Sequence, residues 1–400
     1  MASTKAQVPA GSRFPVASLL LALAASVAVA VLVLGASHIP GLLRLEYSSA
    51  DLRTALFSQR VTADHPRVAV VAISDETLRT FATKSPIDRG FLAQLVAAID
   101  KAGAHAIGLD VFMLRPTESS KDTALHNALR DAKAQIVMGV LDERDRAAAG
   151  QRAYQAEFVA GTGRPTGYLA LRYERDGVVR NVAGPARNSA FPDSFSLQLA
   201  RSIKPDSQQP YGRIAWLQKV DPKAWYSGLV TIDGKLPFAV VRAEDVIDPS
   251  KSEERRKLAG KIVLVGADYA YADRHRTPLT AWSGNDMPGV AIHAMLVAQI
   301  IDGRTVKELD TGRARLLTLA LACLGGLLGW RFRHRKFDFL GWSIAAAVLI
   351  GVDALIFSSL HFVLPFMLSM LAWFSGVTAG HNFGLVYDWE IERARDRRDR

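Results

Sequence analysis

The sequence predicts an α/β fold, a mixed and largely parallel sheet flanked by helices, lying outside the cytoplasm on four transmembrane α-helices, one N-terminal and three C-terminal. Three observations predict it. Apolar runs at 15–34, 316–330, 339–360 and 362–386 bracket a long body, residues 35–312, of ordinary polarity. Within that body, β-branched runs alternate with apolar residues at helical spacing, the pattern of strands joined by covering helices. Lys and Arg gather beside the apolar runs, where they set membrane orientation.

The first run is long enough to cross ~30 Å of hydrocarbon at ~1.5 Å per helical residue. A cleaved signal peptide is the competing reading, because Gly35, Ala36 and Ser37 are small residues after an apolar segment. Signal-peptide cores are shorter, ~7–15 residues, so an uncleaved anchor is expected, with residues 1–14 in the cytoplasm. Arg331, Arg333, Arg335 and Lys336 fill the short link between the second and third spans, which places that link inside. Lys5 and Arg13 precede the first span, and Arg393, Arg395, Arg397, Arg398 and Arg400 follow the fourth. Four crossings put both termini on one side, so the three basic clusters agree. Arg313 and Arg315 argue the other way, though Arg side chains flanking a short span can snorkel to the interface. The expected location is a bacterial inner membrane with the body in the periplasm.

The formal net charge of +10 is assigned to membrane-flanking loops and anionic headgroups, not to a nucleic-acid partner. Cys323 is the only cysteine and falls in a span, so the outer body holds together without a disulfide.

In the body, strands are expected at 67–73, 106–112, 135–141 and 261–266, and helices at 89–102, 122–133, 194–203 and 289–301. The last strand is expected to join the first sheet. Segment 142–152 is charged and Ala-rich, a surface loop or exposed helix, and the GTGRPTG stretch after it is a loop. Pro165 interrupts its glycines, which excludes a dinucleotide fingerprint. Asp176-Gly177 and Asp233-Gly234 each sit between β-like runs, 167–173 with 178–183 and 229–232 with 236–241, and read as hairpins.

Ligands in open α/β sheets gather beyond the carboxyl ends of the strands. Asp75 follows the first strand, Asp110 ends the second and Asp273 follows the last, so the three converge on one crevice if those ends are neighbours. Such a crevice would suit a cation, a cationic ligand or a hydrogen-bonding metabolite. The alternative is structural: Asp75 capping the next helix, Asp273 bonding the Arg276-Thr277-Pro278 turn. His293 lies among apolar helix residues and reads as a satisfied, half-buried histidine. No HxH or HExxH spacing, G-x-S-x-G elbow or extramembrane cysteine occurs, so neither a zinc site nor hydrolase chemistry is supported, and no cofactor is expected. Asp353, ionisable within the third span, is either functional or snorkels outward or bonds a neighbouring span.

The strand at 261–266 leads into GADYAYADRHRTPLT and then MPGVAIHAMLVAQIIDG. In that succession Gly266, Asp273, Thr277, Pro278, Pro288, Gly289, Val290, His293 and Ala294 resemble the second type of the CHASE sensory domains, extracellular sensors associated with cyclases and kinases. Tyr47 with Asp51-Leu52-Arg53, VVAISDETL with Asp75, GLDVF with Asp110, Asp122, and RDGVVR with Asp176, Gly177 and Arg180 are similar to the same family. Two places depart from it: only Pro86 and Arg89 stand where members carry a Trp-Pro pair, and Arg115 lies where an acidic residue is common. The resemblance implies an extracytoplasmic sensor followed by three spans, and it adds Thr277 and Arg180 to Asp75, Asp110 and Asp273 as candidate ligand-binding residues. For Arg180 the alternative is an ion pair or a solvent-facing side chain. The family continues into an adenylate or guanylate cyclase or a kinase, so the output is expected on another protein or beyond Arg400. Residues 387–400 read as a helix continuing from the fourth span that could pair in a homodimer. An envelope scaffold that transmits nothing is the remaining class.

Overall fold

The computed structural model describes residues 16–79, 81, 84–220, 235–280, 285–334 and 338–398. The chain divides into two compact units, residues 51–307 and the remainder. Helix α1 (Val16–Ala36) is followed by α2 (Pro40–Phe57).

Unit 51–307 is built on six parallel strands: β1 (Val68–Ser74), β2 (Ala106–Asp110), β3 (Gln135–Val140), β4 (Thr166–Tyr168), β5 (Ala239–Arg242) and β6 (Ile262–Asp268). Their order across the sheet is β4-β3-β2-β6-β1-β5. The last strand therefore enters the middle, between β2 and β1. The central strands β1, β2, β3 and β6 are buried on both faces, which is why the sequence shows continuous apolar runs there, whereas the edge strand β5 alternates buried and exposed.

Side chains alternate between two cores. Ala69, Val71, Ile73, Ile107, Leu109, Val263 and Val265 face one layer. That layer is formed by α3 (Arg89–Lys101), α4 (Ser119–Asp131), Phe158 of α5 (Ala149–Thr162) and Ala243 and Val246. Val68, Val70, Ala106, Val137, Ile262 and Leu264 face the other, formed by α6 (Phe195–Arg201), α8 (Gly289–Asp302) and Trp216. Ala243 and Val246 belong to α7 (Ala243–Ile247). The period of two along each strand produces both cores at once.

Two expected hairpins come out differently. Arg172–Tyr173 does pair antiparallel with Val179–Asn181 around Asp176-Gly177, but Thr166–Tyr168 leaves that hairpin and becomes the parallel edge strand β4. Residues 229–232 and the Asp233-Gly234 turn lie outside the described residues. The expected partner arm supplies β5, which pairs parallel with β1. The principal sheet is thus wholly parallel, with antiparallel pairing left to two-stranded pieces beside it.

In the other unit, α9 (Thr311–Arg331), α10 (Asp338–Leu360) and α11 (Phe366–Arg398) complete the chain. Among the described residues three helices are long and apolar enough to cross a membrane: Val16–Ala36, Thr311–Arg331 and Leu340–Leu360. The fourth apolar run folds as the first half of α11, whose second half is charged and continues without a break. Helices α1, α9 and α11 pack on one another, and α10 meets α11 where Trp342 lies edge-on to Trp373, ring centroids 6.5 Å apart.

Polar contacts identify the two ends of this bundle. At one end the Trp330 indole N–H donates to Ser18 Oγ at 2.9 Å, and Arg333 pairs with Asp388 at 2.7 Å. At the other, both oxygens of Glu46 accept from the first amides of α11, Phe366 at 2.9 Å and Leu368 at 3.1 Å. A carboxylate there satisfies otherwise orphaned amides and complements the helix dipole.

Candidate functional site

The helices that follow β1 and β2 cover one face of the sheet, whereas α8, which follows β6, covers the other. Connections that diverge in this way leave a crevice beyond the strand ends, the usual ligand position in open α/β sheets. Register brings the candidate residues there. Ser74 at the end of β1 stands opposite Asp268 of β6, and Asp110 at the end of β2 stands opposite Gly266.

Asp75 is exposed at the rim, and its Oδ2 accepts the Ala270 amide at 2.9 Å. It does not cap the following turn; Ser74 does, accepting from the Thr77 amide. Asp110 lies deeper. Its Oδ2 is shut off from solvent and meets no hydrogen-bond donor among the described residues. Burial, and secondarily the negative charge of Asp273, hold its carboxyl well above the ordinary carboxylate range.

Asp273 occupies the left-handed region, φ 54°, which Asp tolerates better than most residues. Its Oδ1 lies 2.9 Å from His275 Nε2, and His275 Nδ1 lies 2.7 Å from the Tyr173 hydroxyl. A phenol donating to Nδ1 fixes the tautomer whose Nε2–H donates to Asp273. The same carboxylate covers the amide end of α8. A Cβ on Gly289 would lie 2.9 Å from both of its oxygens, so the approach requires glycine. The bond expected from Asp273 to the Arg276-Thr277-Pro278 turn is replaced by this His275 contact.

Aromatic residues border the carboxylates. Burial and then Asp273 push the Tyr173 phenol up, and burial, Asp75 and Asp273 do the same to Tyr269. Arg274 shapes the loop by donating to the carbonyls of Tyr269 at 2.6 Å and Asp286 at 3.0 Å and to Asp268 at 2.7 Å. His293, expected to be half-buried, is 4% exposed, beside Ser196 Oγ at 3.3 Å and edge-on to Phe195. Burial lowers its pKa to about 4, against a smaller opposing pull from Asp273, so the ring is neutral at pH 7.

The other two candidates serve structure where they stand. Thr277 is fully buried, and its amide donates to Thr280 Oγ1 at 2.9 Å in a local turn. Arg180 is gripped side-on by Asp51, Nε and Nη2 each at 2.7 Å, and by Asp176 at 2.8 and 2.7 Å. Burial works against its charge, but the two carboxylates outweigh burial and raise its pKa. Sequence reading missed Tyr173, Tyr269, Arg274 and His275. The available signal was the density of aromatic and charged residues in YAYADRHR directly after a buried strand. Among the described residues no group of three His, Cys, Asp or Glu side chains is placed to hold a metal ion.

Neither a curated protein nor a solved structure matches the chain. The family model described as the CHASE2 domain matches residues 25–329, more than half of the 400. CHASE2 is a sensory domain of membrane proteins, and both the parallel α/β body and the apolar helices lie within or beside the matched segment. The chain belongs to the CHASE2 domain family.

Proposed function

We propose that this protein is a bacterial inner-membrane receptor whose extracytoplasmic body binds a ligand in the strand-end crevice and passes the change through the membrane helices to a cytoplasmic output. The observation that carries the ligand reading is Asp110. A carboxyl oxygen closed off from water with no donor is costly, and a group perturbed in this way at the head of a switch-point crevice is a candidate binding group. Asp75 and Asp273 are its rim, open to solvent.

Transmission needs differential affinity, because a ligand shifts an equilibrium only by as much as it prefers one state, typically ~1–3 kcal/mol. The body is joined to helices at both of its ends. Helix α11 continues past the bundle as a charged segment, which favours an output held at that end, an adenylate cyclase or kinase module being the class the family association suggests. A homodimer paired through residues 387–400 fits the same helix. The basic residues support a cytoplasmic position for both termini: Arg333 and Asp388 share the end at which Ser18 lies.

The test is retention. The full chain, purified in detergent, is expected to carry a small molecule detectable by mass spectrometry, and Asp110→Ala should release it while circular dichroism remains unchanged. Asp75→Ala, at the rim, should weaken retention without abolishing it. Unchanged retention in both variants would remove the crevice from the mechanism.

A further inference from the structure

We infer that the crevice takes an organic ammonium cation, its charge set among Asp75, Asp110 and Asp273 and its carbon skeleton against the rings of Tyr173 and Tyr269. This rests on the receptor reading above and deepens it by naming the ligand class. An anion is disfavoured on geometry. The amide end of α8, the natural anion seat at such a crevice, is already covered by the Asp273 carboxylate. The guanidinium of Arg274 is engaged by Asp268 and two carbonyls, and His293 is neutral.

A bare divalent metal is disfavoured as well. It asks for several oxygen ligands converging within a few ångströms, and no such group of three exists among the described residues. The carboxylates are spread: Asp75 bonds Ala270 at the rim, Asp273 is tied to His275, and Asp110 lies inward beside Gly266. Spread carboxylates bordered by aromatic rings suit an ammonium group carrying carbon. Burial and Asp273 favour the protonated Asp110 carboxyl in the free protein, so the cation would bind with release of that proton, its N–H or polarised C–H groups meeting Asp110 Oδ2, which has no other donor among the described residues. A cation near Tyr faces gains further attraction from the ring quadrupole. Tyr173 is held in place by its bond to His275, and Tyr269 packs against the core on one side.

The experiment is a thermal-shift and calorimetric titration of the detergent-purified full chain with four probes: 1,4-diaminobutane, choline, succinate and calcium chloride. At least one ammonium probe is expected to bind saturably, and succinate and calcium are expected to give no shift. Asp110→Asn, which keeps the side chain's shape, should weaken that binding at least tenfold, and Tyr269→Leu roughly tenfold, with Tyr269→Phe close to wild type. Calcium or succinate binding while both ammonium probes are silent overturns the inference, as does silence of both ammonium probes alone. The receptor reading fails separately. If a co-purified molecule is still lost in Asp110→Ala when the ammonium probes fail, the crevice is a ligand site for another chemistry; if nothing is retained, both readings fall together.

Discussion

At the scale of single residues, the crevice combines groups whose protonation is set by where they are buried. His293 gives the sharpest consequence. Its pKa falls from the ordinary 6.5 to about 4 on folding because burial penalises the imidazolium. As the pH drops below 6.5 the unfolded chain takes up a proton that the folded chain refuses, so stability is lost between pH 6.5 and 4 and is fully present above that window. The loss is of order ~3 kcal/mol by the lower limit. His293→Asn, neutral throughout, should remove that part of the acid destabilisation in thermal melts of the detergent-solubilised chain. An acid limb identical to wild type would show that the ring is solvated.

Residue-scale chemistry was only partly legible in the sequence. Asp75, Asp110 and Asp273 could be placed at or after strand ends from local pattern, and the register of β1, β6 and β2 sets the first two on strands that flank the one leading to Asp273. Arg180 could not be placed, because its partner Asp51 lies 129 residues away and no local period encodes that pairing. His275 and Tyr173 are linked across 102 residues for the same reason.

At the scale of elements, long strands and helices were legible and short edges were not. β1, β3 and β6 announce themselves by β-branched runs, and α3 and α8 by apolar spacing. The three residues of β4 and four of β5 carry too little pattern, and their place is decided by the exposed edge they find in the finished sheet. In the membrane unit the decisive elements are small residues. A Cβ on Gly325 would come within 2.5 Å of the Trp373 carbonyl oxygen, and one on Gly376 would strike the carbonyl of Ala322, so α9 and α11 approach backbone to backbone. Gly325→Leu should drive these helices apart. The expected outcome is a loss of the folded membrane unit, read as aggregation on detergent size exclusion, while Leu327→Ala on the exposed side of α9 leaves the profile unchanged. A monodisperse Gly325→Leu protein would contradict the close packing.

At the scale of the whole molecule, the question is which side of the membrane each segment faces, and the helix ends supply the argument. Ser18, Trp330, Arg333 and Asp388 mark one end of the bundle, and the basic residues at 331–333 and 393–397 belong to it. Glu46 and Phe366 mark the other end. On the proposed topology, in which Lys and Arg remain inside, the first end would be cytoplasmic and residues 51–307 would lie on the far side of the membrane. Cys323, the only cysteine, can be replaced by Ser, and single cysteines then introduced as Tyr271→Cys on the body and Glu392→Cys on α11, both exposed positions. A membrane-impermeant maleimide should label Tyr271→Cys in intact spheroplasts and Glu392→Cys only in inverted vesicles. The opposite result would put the crevice in the cytoplasm, where a periplasmic stimulus could not reach Asp110, and the receptor reading would fail with the topology.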